Sequence, residues 1–523
     1  MCTNWLKRTL VLAVFAVGAV MLGGGVAQAD GLGDATALFQ PTHEGDSRGD
    51  SGIDQDQDAD NDNDTDQDAD ANAETTQVNV NAPIAILSHD SNNGDVDQSN
   101  DATTVAAASN DNDTDQSIDQ DQDAWSGDGG DRCNTCGGSG GSDIDQDQDA
   151  DNDNDTDQDA EADAETTQVN VNAPVSILSS ESNNGDVDQS NDATTVAAAS
   201  NDNDTDQSID QDQDAWASGG GDRCDRCGGS TGGEVDQDQD AKNDNDTDQD
   251  ADADAETNQY NVNAPFSVLT FGGGSCDSRC GSGGGGDVDQ SNDATTVAVA
   301  KNENDTDQSI DQDQRAWVTG GGDRCDPCGG SGGGAIDQDQ DAENDNDTDQ
   351  DADADAETNQ YNVNAPIAIL SHGSNNGDVR QSNDATTVAV ASNDNDTDQS
   401  IDQDQRAAVE GARDGRVDRM DGCGCPEVRH MDGCGCHHGR NGGGVDQDQD
   451  ARNDNDTDQD ADADADTNQW NVNKPFSFLS HGGCGCRGND VRQSNDAFTF
   501  AFAGNRNETD QDIRQNQDAW LKE

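Results

Sequence analysis

The sequence predicts an all-β fold of five tandem repeats, roughly 90–110 residues each, in which every repeat holds two long alternating β-arms with Gly- and Cys-rich loops between. Three observations carry this. The stretch IDQDQDADNDNDTDQDADANAETTQVNVNAP, Ile53 to Pro83, returns from Ile144, Val235, Ile336 and Val445. Within it one parity is acidic almost without a break from Asp54 to Asp70, while the other carries Gln, Asn, Thr and Ala, a period of two that belongs to strands and not to helices. A second arm, Val96 to Trp125, keeps the same alternation and recurs from Val187, Val288, Val379 and Val491.

The chain opens with a basic, apolar and small-residue series: Lys7 and Arg8, then Leu10 to Leu22, then Ala27-Gln28-Ala29. This reads as a signal peptide over residues 1–29 with cleavage after Ala29, hence a secreted protein of the extracellular space or cell surface. Loss of Cys2 with that peptide leaves an even number of the 15 cysteines, in keeping with an oxidising compartment. Residues 30–52 form a polar leader. The repeats then occupy 53–125, 144–216, 235–317, 336–408 and 445–523. Gly/Cys loops lie at 126–143, 217–234 and 318–335, and a Cys/His-rich loop at 409–444.

Two pairings of the arms are compatible with the pattern. Matching residues whose numbers sum to 177 sets like beside like along both arms of the first repeat, Gln57 with Gln120, Asn63 with Thr114, Ala69 with Ala108, as expected of an antiparallel, hairpin-like pair. Alternatively, equivalent arms of successive repeats stack parallel and in register as a β-solenoid with Asn and Gln ladders. An antiparallel ladder would set Asp54, Asp56, Asp58, Asp62, Asp64 and Asp66 opposite Asp123, Asp121, Asp119, Asp115, Asp113 and Asp111. Each such pair repels by roughly 0.8 kcal/mol at about 5 Å in water, so six approach ~5 kcal/mol, comparable with the stability of a domain. These twelve aspartates are therefore the candidate cation face, with Ca²⁺ the natural partner of hard carboxylate oxygens. No EF-hand loop accompanies the D-x-D-x-D runs. The competing fold is a largely disordered polyanion, since low hydrophobicity with high net charge also marks disorder.

Between the arms, proline introduces a short apolar element, as in Pro83-Ile84-Ala85-Ile86-Leu87, and Asn93-Gly94 and Asn184-Gly185 supply turn chemistry. The second arm ends in Trp125, Trp216, Trp317 and Trp520, with Ala408 in the fourth copy, positions that read as a packing cap at the repeat edge, with a ligand-stacking platform as the alternative. The last copy places Phe498, Phe500 and Phe502 where the first has Thr103, Val105 and Ala107, either a terminal cap or a docking surface. In the loop MDGCGCPEVRHMDGCGCHHG, Cys423, Cys425, Cys434 and Cys436 lie beside His430, His437 and His438, a set suited to Zn²⁺ or another soft metal, or to disulfides.

Composition narrows function. A formal net charge of −89, from 114 acidic residues against 25 Lys and Arg, disfavours nucleic acid and anionic membranes as partners. No stretch after the signal peptide is apolar enough for membrane insertion, and no nucleophile elbow, phosphate loop or catalytic histidine arrangement points to an enzyme. The alternating Gln, Asn and Ala positions of VDQSNDATTVAAASNDNDTDQ resemble the repeats of curlin-type functional amyloid subunits, although the arms here are longer, carry a near-continuous Asp face and are joined by cysteine loops. The resemblance implies secreted subunits that self-associate into extracellular fibres. The expected function is a secreted structural repeat protein of cell surface, spore coat or extracellular matrix, assembling through Asn/Gln/Thr ladders, with a soluble Asp-rich Ca²⁺-binding or mineral-interacting protein as the alternative.

Overall fold

The computed structural model describes residues 52–87, 94–127, 143–178, 185–218, 233–269, 287–319, 334–370, 378–410, 416–417, 444–479 and 490–522. Residues 1–51, with the signal peptide expected there and all but Gly52 of the expected leader, lie outside these residues, as do every cysteine and every histidine. The first arms form β1 (Ile53–Asn81), β4 (Asp143–Asn172), β7 (Glu234–Asn263), β10 (Ala335–Asn364) and β14 (Gly444–Asn473). The second arms form β3 (Val96–Gly127), β6 (Val187–Ser218), β9 (Val288–Thr319), β12 (Val379–Glu410) and β16 (Val491–Lys522). Three-residue connectors β2 (Ile84–Ile86), β5 (Val175–Ile177), β8 (Phe266–Val268), β11 (Ile367–Ile369) and β15 (Phe476–Phe478) lie between them. A two-residue strand, β13, spans Arg416–Val417.

All strand pairing among the described residues is parallel, and each sheet collects equivalent strands of successive repeats. One large sheet runs β1-β4-β7-β10-β14-β13, the other β16-β12-β9-β6-β3, and the connectors make a narrow third sheet. The register is fixed by identity: Gln55 pairs with Gln146, Gln146 with Gln237, Gln237 with Gln338, and Gln338 with Gln447. The molecule is therefore a five-rung β-solenoid, one repeat per rung.

The antiparallel ladder between the two arms of a repeat does not form, and the pairs Asp54–Asp123 through Asp66–Asp111 are not made. The palindrome has another physical cause. The two large sheets pack face to face, so a residue of one arm meets a chemically matched residue across the interface. Asn63 Nδ2 donates to Thr114 Oγ1 at 3.3 Å, and Asn79 Nδ2 to Asn100 Oδ1 at 2.8 Å. Second-arm strands sit half a rung out of step: Asn110 Nδ2 donates to the carbonyls of Gln67 on β1 and Asp159 on β4, at 3.1 and 2.7 Å.

Alternation decides what this interface contains. Inward parity buries Gln, Asn, Thr and Ala, and Asp is left outside on both sheets. Apolar packing comes in small clusters: alanines such as Ala160, Ala162 and Ala164 with Ala197 and Ala199, Ile118, Ile209, Ile310 and Ile401 against Ala150, Ala241 and Ala342, Ile144, Val235 and Ile336 with Val318 and Val409, and the column Val187, Val288 and Val379. An unpartnered buried amide costs about 1–3 kcal/mol, so a core this rich in amides is viable only if each finds a partner. In-register stacking supplies one. Gln146 donates to Gln55 at 2.9 Å, Gln237 to Gln146 at 2.8 Å, Gln338 to Gln237 at 2.8 Å and Gln447 to Gln338 at 2.8 Å. The threonines zigzag between sheets, Thr104, Thr166, Thr195, Thr257, Thr296 and Thr358 joined hydroxyl to hydroxyl at 2.7–2.8 Å.

The connectors close each rung. Leu87, Leu178, Leu269, Leu370 and Leu479 follow them with φ of 51–56°, a left-handed backbone that costs a branched residue energy. The first four each donate a backbone N–H to the next rung, Leu87 to the Ile177 carbonyl at 2.9 Å. Gly94 and Gly185 also have positive φ, and a Cβ on Gly185 would lie 1.8 Å from the Gly94 carbonyl oxygen. At Gly185 glycine is obligatory because the first rung approaches too closely for a side chain, whereas at Gly94 the space is open and only the positive φ favours it.

Candidate cation-binding faces

Stacking turns the alternating acids of one arm into a flat lattice. Asp56, Asp147, Asp238, Asp339 and Asp448 lie in one column, and Asp58, Asp149, Asp240, Asp341 and Asp450 in the next but one residue. On the other sheet Asp115, Asp206, Asp307, Asp398 and Asp510 do the same. Neighbouring strands are about 4.8 Å apart and alternate residues about 6.8 Å apart, which sets the mesh of carboxylates.

The twelve aspartates singled out from sequence all lie exposed on the first rung, but on two faces. Asp54, Asp56, Asp58, Asp62, Asp64 and Asp66 stand on the outer side of β1; Asp111, Asp113, Asp115, Asp119, Asp121 and Asp123 stand on the outer side of β3. The sheets' buried sides lie between the two groups, so the structure does not bring one group to the other. It brings each to its own copies in the next rung. Among the described residues no three His, Cys, Asp or Glu side chains converge as a discrete metal centre. The Cys423–His438 set lies outside the described residues.

Mutual repulsion is visible in the carboxyl groups of the middle rungs. Asp238 is pushed up to about 6, first by burial among its neighbours and then by Asp339 and Asp147 above and below it, ahead of Asp240 and Asp236 along its own strand. Burial and then Asp341 and Asp149 raise Asp240 to about 6, and Asp250, Asp254 and Asp339 reach about 6 for the same two reasons in the same order. On the opposite sheet burial followed by Asp210 and Asp402 raises Asp311. Each column contact costs about 0.9 kcal/mol at 4.8 Å in water, similar in size to the ~1 kcal/mol net gain of an amide ladder bond.

Basic residues interrupt the lattice only in the later rungs, a pattern that appears when the repeats are read as columns. Lys242 pairs with Asp244 at 2.6 Å, and Arg315 reaches Asp212 of the preceding rung at 3.3 Å while also contacting Asp313. Arg452 bonds Glu343 and Asp454, both at 2.6 Å, and Arg506 bonds Asp394 at 2.7 Å. Aromatic columns also stand on the outer faces. Trp125, Trp216 and Trp317 have successive ring centroids 5.6 and 5.8 Å apart; Tyr260, Tyr361 and Trp470 stack at 5.0 and 4.6 Å. The second ladder is absent from the sequence expectations, because valine holds its first two rungs, Val78 and Val169. No helix of the described residues is long and apolar enough to cross a membrane. Comparison of the chain with protein-family models, with curated proteins and with solved structures finds no match.

Proposed function

We propose that this is a secreted structural protein of a cell surface, spore coat or extracellular matrix, and that its two outer faces take up divalent cations. The observation that supports this reading is the in-register carboxylate lattice. Adjacent carboxylates in a column are about 4.8 Å apart, and Ca²⁺ binds carboxylate oxygen at 2.3–2.6 Å, so an ion between two rungs reaches both. Such an ion relieves the repulsion that, after burial, raises Asp238 and Asp240, and it ties successive rungs together. The same flat array suits the ordered cations of a mineral face, which is the second reading.

Calcium titration tests the proposal. Millimolar CaCl₂ should raise the thermal midpoint of the β signal in circular dichroism well beyond NaCl of equal ionic strength, with calorimetry registering many weak sites per chain. Equal effects of the two salts would reduce the acid faces to screened charge and remove the cation role. Selective retention on calcium mineral, without calcium-dependent association in solution, would favour the second reading.

A further inference from the structure

The two ends of the solenoid differ in a way that internal rungs do not. β1 and β3, at one end, contain no Lys or Arg; β14 and β16, at the other, carry Arg452, Arg492, Arg506 and Arg514 on the outward parity. Among the described residues no strand lies beyond β1 or β3, and β13 covers only Gly444 and Val445 of β14. Both ends therefore present long strand edges, the kind of edge that templates further pairing.

From these ends we infer that the chain adds to a second copy of itself, head to tail, with the fifth rung of one molecule laid in register against the first rung of the next. This rests on the structural reading above and names its partner. Column equivalence fixes the register, since Asp446, the first residue of β14 beyond those that β13 covers, shares a column with Asp54, and Val491 shares another with Val96. In that register Arg452 falls beside Asp60, Arg492 beside Asp97, Arg506 beside Asp111 and Arg514 beside Asp119 of the incoming copy. All four acids are exposed, and the side chains of Arg452, Arg506 and Arg514 are 59%, 57% and 69% exposed. Ladder polarity matches too: Gln447 and Gln449 donate inward to Gln338 and Gln340, leaving carbonyl oxygens toward the open edge, where the amides of Gln55 and Gln57 would arrive.

Apolar groups at the same ends are complementary. Trp125 stacks on Trp216 and is 73% exposed; Trp520, 53% exposed, shares its column and would meet it. Phe498, Phe500 and Phe502, all exposed, would lie against Thr103, Val105 and Ala107, as Thr386, Val388 and Val390 already lie against them from the fourth rung. A head-to-tail contact of this kind is heterologous and does not close on itself, so its product is a polar filament.

Charge exchange between the ends tests this. One full-length mature variant carries R452D, R492D, R506D and R514D; another carries D60R, D97R, D111R and D119R. Each alone places like charges at the junction, and mixing restores opposite charges at both kinds of contact. With β content verified by circular dichroism, sedimentation in millimolar CaCl₂ should show wild-type association, ~100-fold weaker association of either variant alone, and recovery in the mixture. Electron microscopy of the wild type should show filaments with a subunit repeat of about 24 Å, from five rungs at ~4.8 Å each. A folded wild type that stays monomeric, variants that associate as well as wild type, or a mixture no better than its components would each overturn the inference. The second of these outcomes, with calcium-dependent stabilisation intact, would leave the cation-binding structural reading standing and locate association on the faces instead of the ends.

Discussion

Buried amides ordinarily weaken a core, and here they specify it, because the partner each needs is its own copy one rung away. Asn245 shows the arrangement: it accepts from Asn154 at 2.7 Å and donates to Asn346 at 2.7 Å and to Thr247 at 3.2 Å. Asn245→Ala should cost about 2–3 kcal/mol, since it removes both ladder bonds and takes the ladder donor from Asn346 Oδ1. Asn63 makes its single ladder bond to Asn154, on the half-buried first rung, and Asn63→Ala should cost less than half as much. Urea midpoints of the two variants check the ranking; equal losses would mean that local contacts with threonine, and not the column, hold these side chains. The inward identity of these residues was legible from alternation alone. Their partners were not, because a single repeat matches both its own second arm and the next copy, and only the stacked structure separates facing contacts such as Asn63–Thr114 from column contacts such as Asn63–Asn154.

At the scale of a strand, the acids that dominate the composition oppose pairing. For a carboxyl group whose folded-state value lies above its unfolded value of 3.8, the folded chain binds the proton more tightly than the unfolded one. Stability then rises as pH falls from about 6 toward 3.8, and it declines as pH rises through the same window. Asp238, Asp240, Asp250, Asp254 and Asp339 all have this sign, raised to about 6 by burial and by carboxylates of adjoining rungs. Thermal midpoints should therefore climb between pH 7 and pH 5 and level off below about 4, opposite to ordinary acid denaturation. Calcium should flatten the profile by occupying the same carboxylates. Melting curves across that range test the sign; a midpoint that falls with acidification would show that ion pairs such as Arg452–Glu343 outweigh the acid columns. Face assignment and the acid–amide division were readable from the period of two, whereas arms of about thirty residues pointed to bends or corners and instead run as unbroken strands of 29 to 32 residues. The antiparallel expectation failed for a physical reason: a palindrome satisfies facing contacts between sheets as well as ladder contacts within one, and parallel stacking satisfies the buried amides through both.

The whole molecule behaves as a column of interchangeable layers, a consequence of spacing that varies only in the loops. Equivalent ladder residues are separated by 91, 101, 109 or 112 positions, as in Asn152–Asn243, Asn243–Asn344, Asn344–Asn453 and Asn383–Asn495, yet every rung keeps the same register. Length added outside the arms is thus absorbed without a slip, while length added inside one is not. Deleting residues 235–335, one complete layer, joins the second rung to the fourth and lets Gln146 meet Gln338 as it now meets Gln237. The shortened protein should retain its β spectrum and unfold cooperatively at a lower midpoint, as expected when stability is a sum of layers and their interfaces. Deleting Thr247 alone is the opposite case. It would turn every residue from Asp248 to Asn263 to the other face, driving Asp248, Asp250, Asp252 and Asp254 toward the amide interface without partners. Removal of one residue should therefore damage the fold far more than removal of a 101-residue repeat. Hydrogen exchange would read the difference, with protection kept throughout the four-rung protein and lost across β7 and its neighbours in the single-residue deletion.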